Sequence, residues 1–213
     1  STHAMLERDN NDVENIADVA YQSGGANLRL APADLGSCAT VTNNTSVTPY
    51  VLTIDFGTTN CLCADGRNRR GKIIVTYTKG YKDSGSVHII TVDNYYIDDN
   101  QLTGSKTVTN MGKNAAGHYY YDITVNDSLN LGPGNGIISW SSTRRRTWVE
   151  GYATTTRMDD VYEVTGSATI TRADGKVITI DITSPLRMAI DCKWMEAGTV
   201  KITRPSGGTM VID

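Results

Sequence analysis

The most reactive side chains in this chain are four cysteines, Cys38, Cys61, Cys63 and Cys192. Cys61 and Cys63 stand two apart, so on an extended segment they point to one face and cannot bond each other. A zinc site would need Cys pairs spaced by about two to four residues and a second pair of ligands. Neither Cys38 nor Cys192 has a close Cys neighbour to supply one. An even number of cysteines in a β-rich chain fits disulfide chemistry in an oxidising compartment. With Cys61–Cys63 excluded, two pairings remain. Either Cys38 joins Cys61 and Cys192 joins Cys63, or the two partners are exchanged.

Arginines form the second group with chemical potential. Arg67, Arg69 and Arg70 follow the central cysteines, and Arg144-Arg145-Arg146 precede Thr147-Trp148. On a strand Arg144, Arg146 and Trp148 share one face. A cationic, aromatic surface of that kind can stack on a sugar or hold an anionic group. Arg67, Arg69, Arg70, Arg144, Arg146 and Trp148 are therefore the expected binding residues. The competing use is cross-strand pairing with Asp98-Asp99, Asp159-Asp160 and Glu150, which is common and contributes little.

Acidic residues offer two further chemistries. Asp93-Asn94 and Asp98-Asp99-Asn100 present oxygen donors of the type calcium favours, but without EF-hand spacing. Asx-rich turns account for them, so no metal and no cofactor are expected. Asp122, Glu150 and Glu163 lie on strand-like segments, where two carboxylates could act as a glycosidase pair. The sequence has no Gly-x-Ser-x-Gly, no His-Glu-x-x-His and no Walker loop. His88 and His118 read as strand residues rather than bases. Thr53-Ile-Asp-Phe-Gly-Thr-Thr-Asn60 resembles the first phosphate loop of the actin and heat-shock ATPase superfamily. That superfamily needs two α/β lobes, for which this chain is too short and too β-rich, so the stretch reads as a strand ending at a glycine turn.

The elements that must position these residues follow from composition and period. The chain has 213 residues, with 11 Tyr, 3 Trp, 1 Phe and 20 Gly. Half-exposed strands suit this Tyr-rich, Thr- and Val-rich mixture, and glycine supplies their turns. Twenty basic and 23 acidic residues leave a net charge of −3, so no global basic field points to nucleic acid. No apolar run approaches the ~20 residues of a membrane helix. Ser1 to Met5 reads as a cloning remnant.

Residues 1–37 are expected to hold that remnant, a short helix and a linker. Asn11-Asp-Val-Glu14 is a capping-box pattern, and Val13, Ile16, Ala17 and Ala20 recur at helical spacing, predicting a helix from Asp12 to about Tyr21. Residues 38–213 are expected to form one antiparallel β domain. The candidate strands are Thr40–Asn43, Tyr50–Phe56, Lys72–Thr78, Ser86–Val92, Leu102–Thr109, Tyr119–Val125, Gly136–Ser141 and Arg146–Ala153. They continue with Val161–Thr171, Lys176–Thr183, Met188–Trp194, Thr199–Thr203 and Thr209–Ile212. Alternation is clearest in Ser167–Arg172 and Val177–Ile182, with Asp174-Gly175 between them as a two-residue hairpin signal. So long a meander is expected to fold over into a sandwich or a curved two-sheet clasp.

Several stretches together carry a resemblance to a family. They are Ser37-Cys-Ala-Thr-Val-Thr42, Thr53-Ile-Asp-Phe-Gly57, Asn60–Tyr77, Asp93-Asn-Tyr-Tyr96, Asp159-Asp-Val-Tyr162 with Thr165-Gly166, and Thr183-Ser-Pro-Leu186. From about Asn10 onward the chain resembles a β-rich family of secreted or lipoprotein-type proteins from Bacteroidota to which no activity is assigned. The resemblance implies an exported location, in the periplasm, at the cell surface or outside the cell, with a leader before this sequence and a few residues after Asp213. It implies no reaction. The resulting expectation is a non-enzymatic binding or structural module of the cell envelope, with a glycan, a lipid or an envelope protein as partner and no nucleic acid. The alternatives are a carbohydrate-active hydrolase using paired carboxylates and an assembly subunit that pairs through an edge strand.

Overall fold

The computed structural model describes residues 38–154, 158–192 and 195–212, together with Val13, Ile16 and Ala17. The helix expected from Asp12 to about Tyr21 lies outside the described residues except for those three. They are buried, at 7%, 4% and 2% exposure.

Among the described residues the strands are β1 (Thr40–Asn44), β2 (Tyr50–Asp55), β3 (Cys61–Leu62), β4 (Asn68–Tyr77), β5 (Val87–Ile97) and β6 (Asn100–Lys113). They continue with β7 (Tyr119–Asn130), β8 (Ile137–Glu150), β9 (Val161–Thr171), β10 (Val177–Ala189), β11 (Ala197–Thr203) and β12 (Thr209–Ile212). All twelve join one sheet in the order β1-β2-β4-β5-β6-β7-β8-β9-β10-β11-β12, with the short β3 added onto β4. The all-β antiparallel expectation therefore holds. No described helix is long and apolar enough to cross a membrane.

The strands run longer than sequence alternation suggests. Gly136–Ser141 and Arg146–Ala153 fall on one strand, β8, which ends at Glu150, and β10 runs from Val177 to Ala189. Of the expected Met188–Trp194 strand only Met188 and Ala189 belong to it; Ile190 and Asp191 turn away, and residues 193–194 lie outside the described residues. Pro185 lies inside β10, where the pairing with β11 shifts register between Ser184 and Arg187. At such an irregularity a missing N–H costs no ladder bond, which is how a strand interior tolerates proline. Across the sheet, Gly198 has φ +115, and a Cβ on it would sit 2.4 Å from the Pro185 carbonyl oxygen.

Turn chemistry also differs from expectation at one place. The Asp174-Gly175 hairpin is a five-residue turn, closed by Arg172 N–H to the Lys176 carbonyl at 2.9 Å and Gly175 N–H to the Arg172 carbonyl at 2.9 Å. Gly175 takes the left-handed conformation and Asp174 does not, as in a type I turn followed by a glycine bulge. The same pair of bonds closes Cys63–Arg67, Asn114–His118 and Arg204–Gly208. His118 thus ends a turn rather than lying within a strand. The two-residue turn with positive φ at both positions is Asp98-Asp99, at φ 49 and 65, between β5 and β6.

The chain divides into two compact units. The first takes residues up to Thr78, His88–Lys106 and Asn126–Ser139. Its core is built on β4, whose alternation buries Arg69, Ile73, Val75 and Tyr77. Register sets Leu52 and Ile54 of β2 opposite Val75 and Ile73. The second takes Lys79–Val87, Thr107–Val125 and Trp140–Asp213. Tyr121, Ile123, Trp140, Trp148, Val164 and Ile170 are buried in it. Its buried Asn110 is satisfied, donating to the Tyr81 carbonyl at 2.9 Å and accepting from Gly112 N–H at 2.7 Å.

Candidate functional site

The cysteine-arginine stretch of the first unit is a tied hairpin. Cys38 bonds Cys61, the first bond of one of the two expected pairings. The second bond does not form: Cys63 is a buried thiol and Cys192 an exposed one. The Cys63 Sγ lies 3.7 Å from the Cys61 carbonyl oxygen, where its S–H donates.

That turn delivers a carboxylate to a buried arginine. Arg69, on the inward face of β4, is 1% exposed. Its Nη1 and Nη2 donate to the two oxygens of Asp65 at 2.8 and 2.6 Å. Asp65 Oδ1 also accepts the Arg67 N–H at 3.1 Å, fixing the turn. The Arg69 guanidinium, opposed by desolvation, holds the Asp65 carboxyl below its ordinary range. Arg67 Nε donates to Asp98 Oδ2 at 3.1 Å. Arg70 donates to Asn60 at 2.6 Å and to Asp99 at 2.5 Å, with its guanidinium 3.8 Å from the centre of the Tyr96 ring. Hydrogen bonds from Asn60 and then Arg70 hold the Asp99 carboxyl low. All three expected binding arginines are therefore committed within the fold. Arg67 and Arg70 hold the carboxylates of Asp98 and Asp99, whose left-handed backbone Asp tolerates better than most residues.

The stretch that resembles a phosphate loop is likewise internally bonded. Asp55 Oδ1 accepts the Gly57 N–H at 2.8 Å, and the Gly57 carbonyl accepts from Gly71 N–H at 2.7 Å. Gly71 itself admits no side chain, since a Cβ would fall 2.0 Å from the Asn94 carbonyl oxygen. The β4–β5 register shifts there, between Arg70 and Lys72.

In the second unit Arg144, Arg146 and Trp148 do share a face of β8, but it is the inward one. Trp148 is 6% exposed. Its Nε1 donates to Asp160 at 3.2 Å, and Tyr162 O–H donates to the same carboxyl at 3.1 Å. Burial pushes the Asp160 carboxyl up against the pull of these two donors. Arg146 donates to the Tyr81 hydroxyl and lies over the Tyr162 ring at 5.0 Å, and Arg144 lies over Trp140 at 5.1 Å. Tyr81 stacks on buried Tyr121 at 4.6 Å, and Lys82 covers Trp148 at 4.5 Å. Ring faces that an open platform would offer to a sugar are occupied by the protein's own cations and rings. The expected binding set thus becomes a cation–π layer of the core, because alternation along β8 turns its even-numbered positions inward.

Two of the three carboxylate candidates, Asp122 and Glu150, are engaged too. Asp122 accepts from Arg145 at 2.7 and 2.9 Å, and Glu150 from Arg187 at 2.5 Å. No group of three or more His, Cys, Asp or Glu residues that could hold a metal occurs among the described residues. His88 is buried, stacked on Tyr77 at 5.4 Å.

What the expected set missed lies at the other end of the second unit. Register carries two apolar rows straight across four strands: Ala168–Ile180–Ile202–Met210, and Gly166–Ile182–Val200–Ile212. Between them on the opposite face runs the row Ser167–Asp181–Lys201–Val211. Cover over the apolar rows falls away toward the edge. Ala168 is 6% exposed, Ile180 and Ile202 half-buried, and Met210 and Ile212 37% and 42% exposed. Val211, on the opposite face, is 56% exposed. β12 ends the strand order and is apolar on both faces without a charge. At the other end, β1 reads Thr-Val-Thr-Asn-Asn. The signal was present in sequence as an uncharged Thr-Met-Val-Ile run after a Ser-Gly-Gly turn. Its edge position was not.

Comparison with models of known protein families, with curated proteins and with solved structures gave no match.

Proposed function

We propose that this chain is an exported, non-enzymatic structural module of the cell envelope that engages a protein partner through the edge strand β12. The observation that carries this reading is the course of the two apolar rows. They run without interruption to an uncharged terminal strand that leaves Met210, Val211 and Ile212 exposed. Natural sheets blunt an open edge with charge, proline or a bulge, and β12 has none of these. An edge left apolar is the form used for strand addition.

Export is supported by the Cys38–Cys61 disulfide, since such bonds persist in oxidising compartments, and by the resemblance to Bacteroidota secreted and lipoprotein-type proteins. A glycan-binding variant of this function draws less support, because its expected arginines and Trp148 already hold partners within the fold. The test is a photoreactive phenylalanine analogue at Val211 in cells that export the full chain. The expected result is a protein adduct at Val211 and none from the same probe at Thr169, on the interior strand β9. Equal yields from the two positions would end the reading.

A further inference from the structure

We infer that the partner of β12 is a second copy of this chain, joined antiparallel edge to edge about a two-fold axis through Met210. This rests on the reading of β12 as the engaging edge and adds the occupant and its register.

The register follows from backbone bookkeeping. The Arg204–Gly208 turn is closed by Arg204 N–H to the Gly208 carbonyl. Antiparallel pairs alternate between hydrogen-bonded and non-hydrogen-bonded. Counting along the Thr203–Thr209, Ile202–Met210, Lys201–Val211 and Val200–Ile212 pairs, Met210 and Ile212 spend their backbone groups on β11. Thr209 and Val211 therefore turn theirs outward, to the open edge. Two copies satisfy these groups when Thr209 of each pairs with Val211 of the other, which forms four hydrogen bonds and puts Met210 against Met210 on the axis. Ile212 then lies opposite Gly208, where no side chain obstructs it. No charge meets a like charge along the strand. The apolar row that ends at Met210 continues across the axis into its own copy, and the neighbour flanks Val211 on the opposite face as well. Stacking of two apolar faces would cover Met210 and Ile212 but leave Val211 open, so edge pairing accounts for all three exposed side chains.

The closing experiment is intermolecular disulfide trapping with the full chain carrying Cys192→Ser. Single cysteines are introduced as Met210→Cys, Thr209→Cys or Val211→Cys, each under mild oxidation. On the axis, residue 210 faces its own copy in a non-hydrogen-bonded pair, with Cα atoms about 4.5 Å apart. Residues 209 and 211 face each other instead, and stand about 7–8 Å from their own copies, beyond ready disulfide reach. We expect Met210→Cys to form a species of twice the chain mass at least tenfold faster than the other two. Faster trapping at 209 or 211, or no trapping at any of the three, overturns the inference. If trapping fails while the Val211 photoprobe still captures a protein of different mass, the second copy is overturned and the edge reading stands. If both fail, both fall.

Discussion

Replacing Asp65 by Asn isolates the Asp65–Arg69 pair that organises the β3–β4 hairpin. Arg69 is 1% exposed and Asp65 23% exposed, so the guanidinium depends on this carboxylate for compensation. Asn keeps an oxygen for the Arg67 N–H that fixes the turn, so the loss is confined to the charge. Removing one partner of a buried pair costs roughly 3–5 kcal/mol, which for a protein of this size lowers Tm by roughly 10 °C. Arg69→Met should cost less, because Asp65 can turn to water. The double variant should recover most of the Asp65→Asn loss, since no charge is then left buried. The pair also has a pH signature. Arg69 depresses the Asp65 carboxyl, so its stabilisation is present above the unfolded carboxyl pKa of about 3.9 and is lost as pH falls through the lower folded value. Urea denaturation followed by circular dichroism, at pH 7 and across the acid range, measures both effects. A loss below about 1 kcal/mol at pH 7, or a double variant no more stable than Asp65→Asn, would refute the reasoning, because the guanidinium would then not need its carboxylate.

Other expectations follow from the same structure. Burial pushes the Asp127 carboxyl up to about 7, so stability should fall as pH rises from about 4 to 7, by roughly 1–2 kcal/mol after allowance for its partial exposure. Asp127→Asn should flatten that slope in thermal melts taken across the range. At Gly166 (φ +125) an added Cβ would fall 2.2 Å from the Thr143 carbonyl oxygen, whereas at Gly175 (φ +76) nothing lies within 4 Å. Gly175→Ala should therefore cost about 1 kcal/mol of backbone strain and Gly166→Ala more than about 2 kcal/mol, compared by chemical denaturation. Cys38→Ser opens a loop of sequence separation 23, for an expected loss of about 3 kcal/mol. A reductant should reproduce that loss in the parent chain and leave Cys38→Ser unchanged.

For function, the useful consequence is where side chains are already spent. Arg67, Arg69, Arg70, Arg146 and Trp148 each hold a partner within the fold. Substituting them tests stability before it tests binding. Residues 209–212 are the opposite case: exposed, on the strand that ends the sheet among the described residues.

The sequence by itself determined the all-β antiparallel class, because alternation and turn glycines are local signals. Val161–Thr171 and Thr209–Ile212 can be read to their last residues, since β-branched alternation runs cleanly between turns. Strand continuity was less legible where a strand carries an irregularity. β5 runs on through Asp93-Asn94, where Asn94 takes φ 45 beside the register shift at Gly71, and β10 runs through Pro185. In both places the neighbouring strand absorbs what looks locally like a break. The destinations of charged side chains were decided only by tertiary structure. Arg69 faces the core and Arg145 faces solvent, yet each is one arginine in a cluster; the Cys63–Arg67 turn brings Asp65 to the first and the neighbouring strand β7 brings Asp122 to the second. The same holds for the cysteines: spacing excluded one bond, and only the folded chain brings Cys38 to Cys61. An edge is a property of the whole sheet, since a strand becomes terminal through what fails to pair beside it, and no window of sequence contains that.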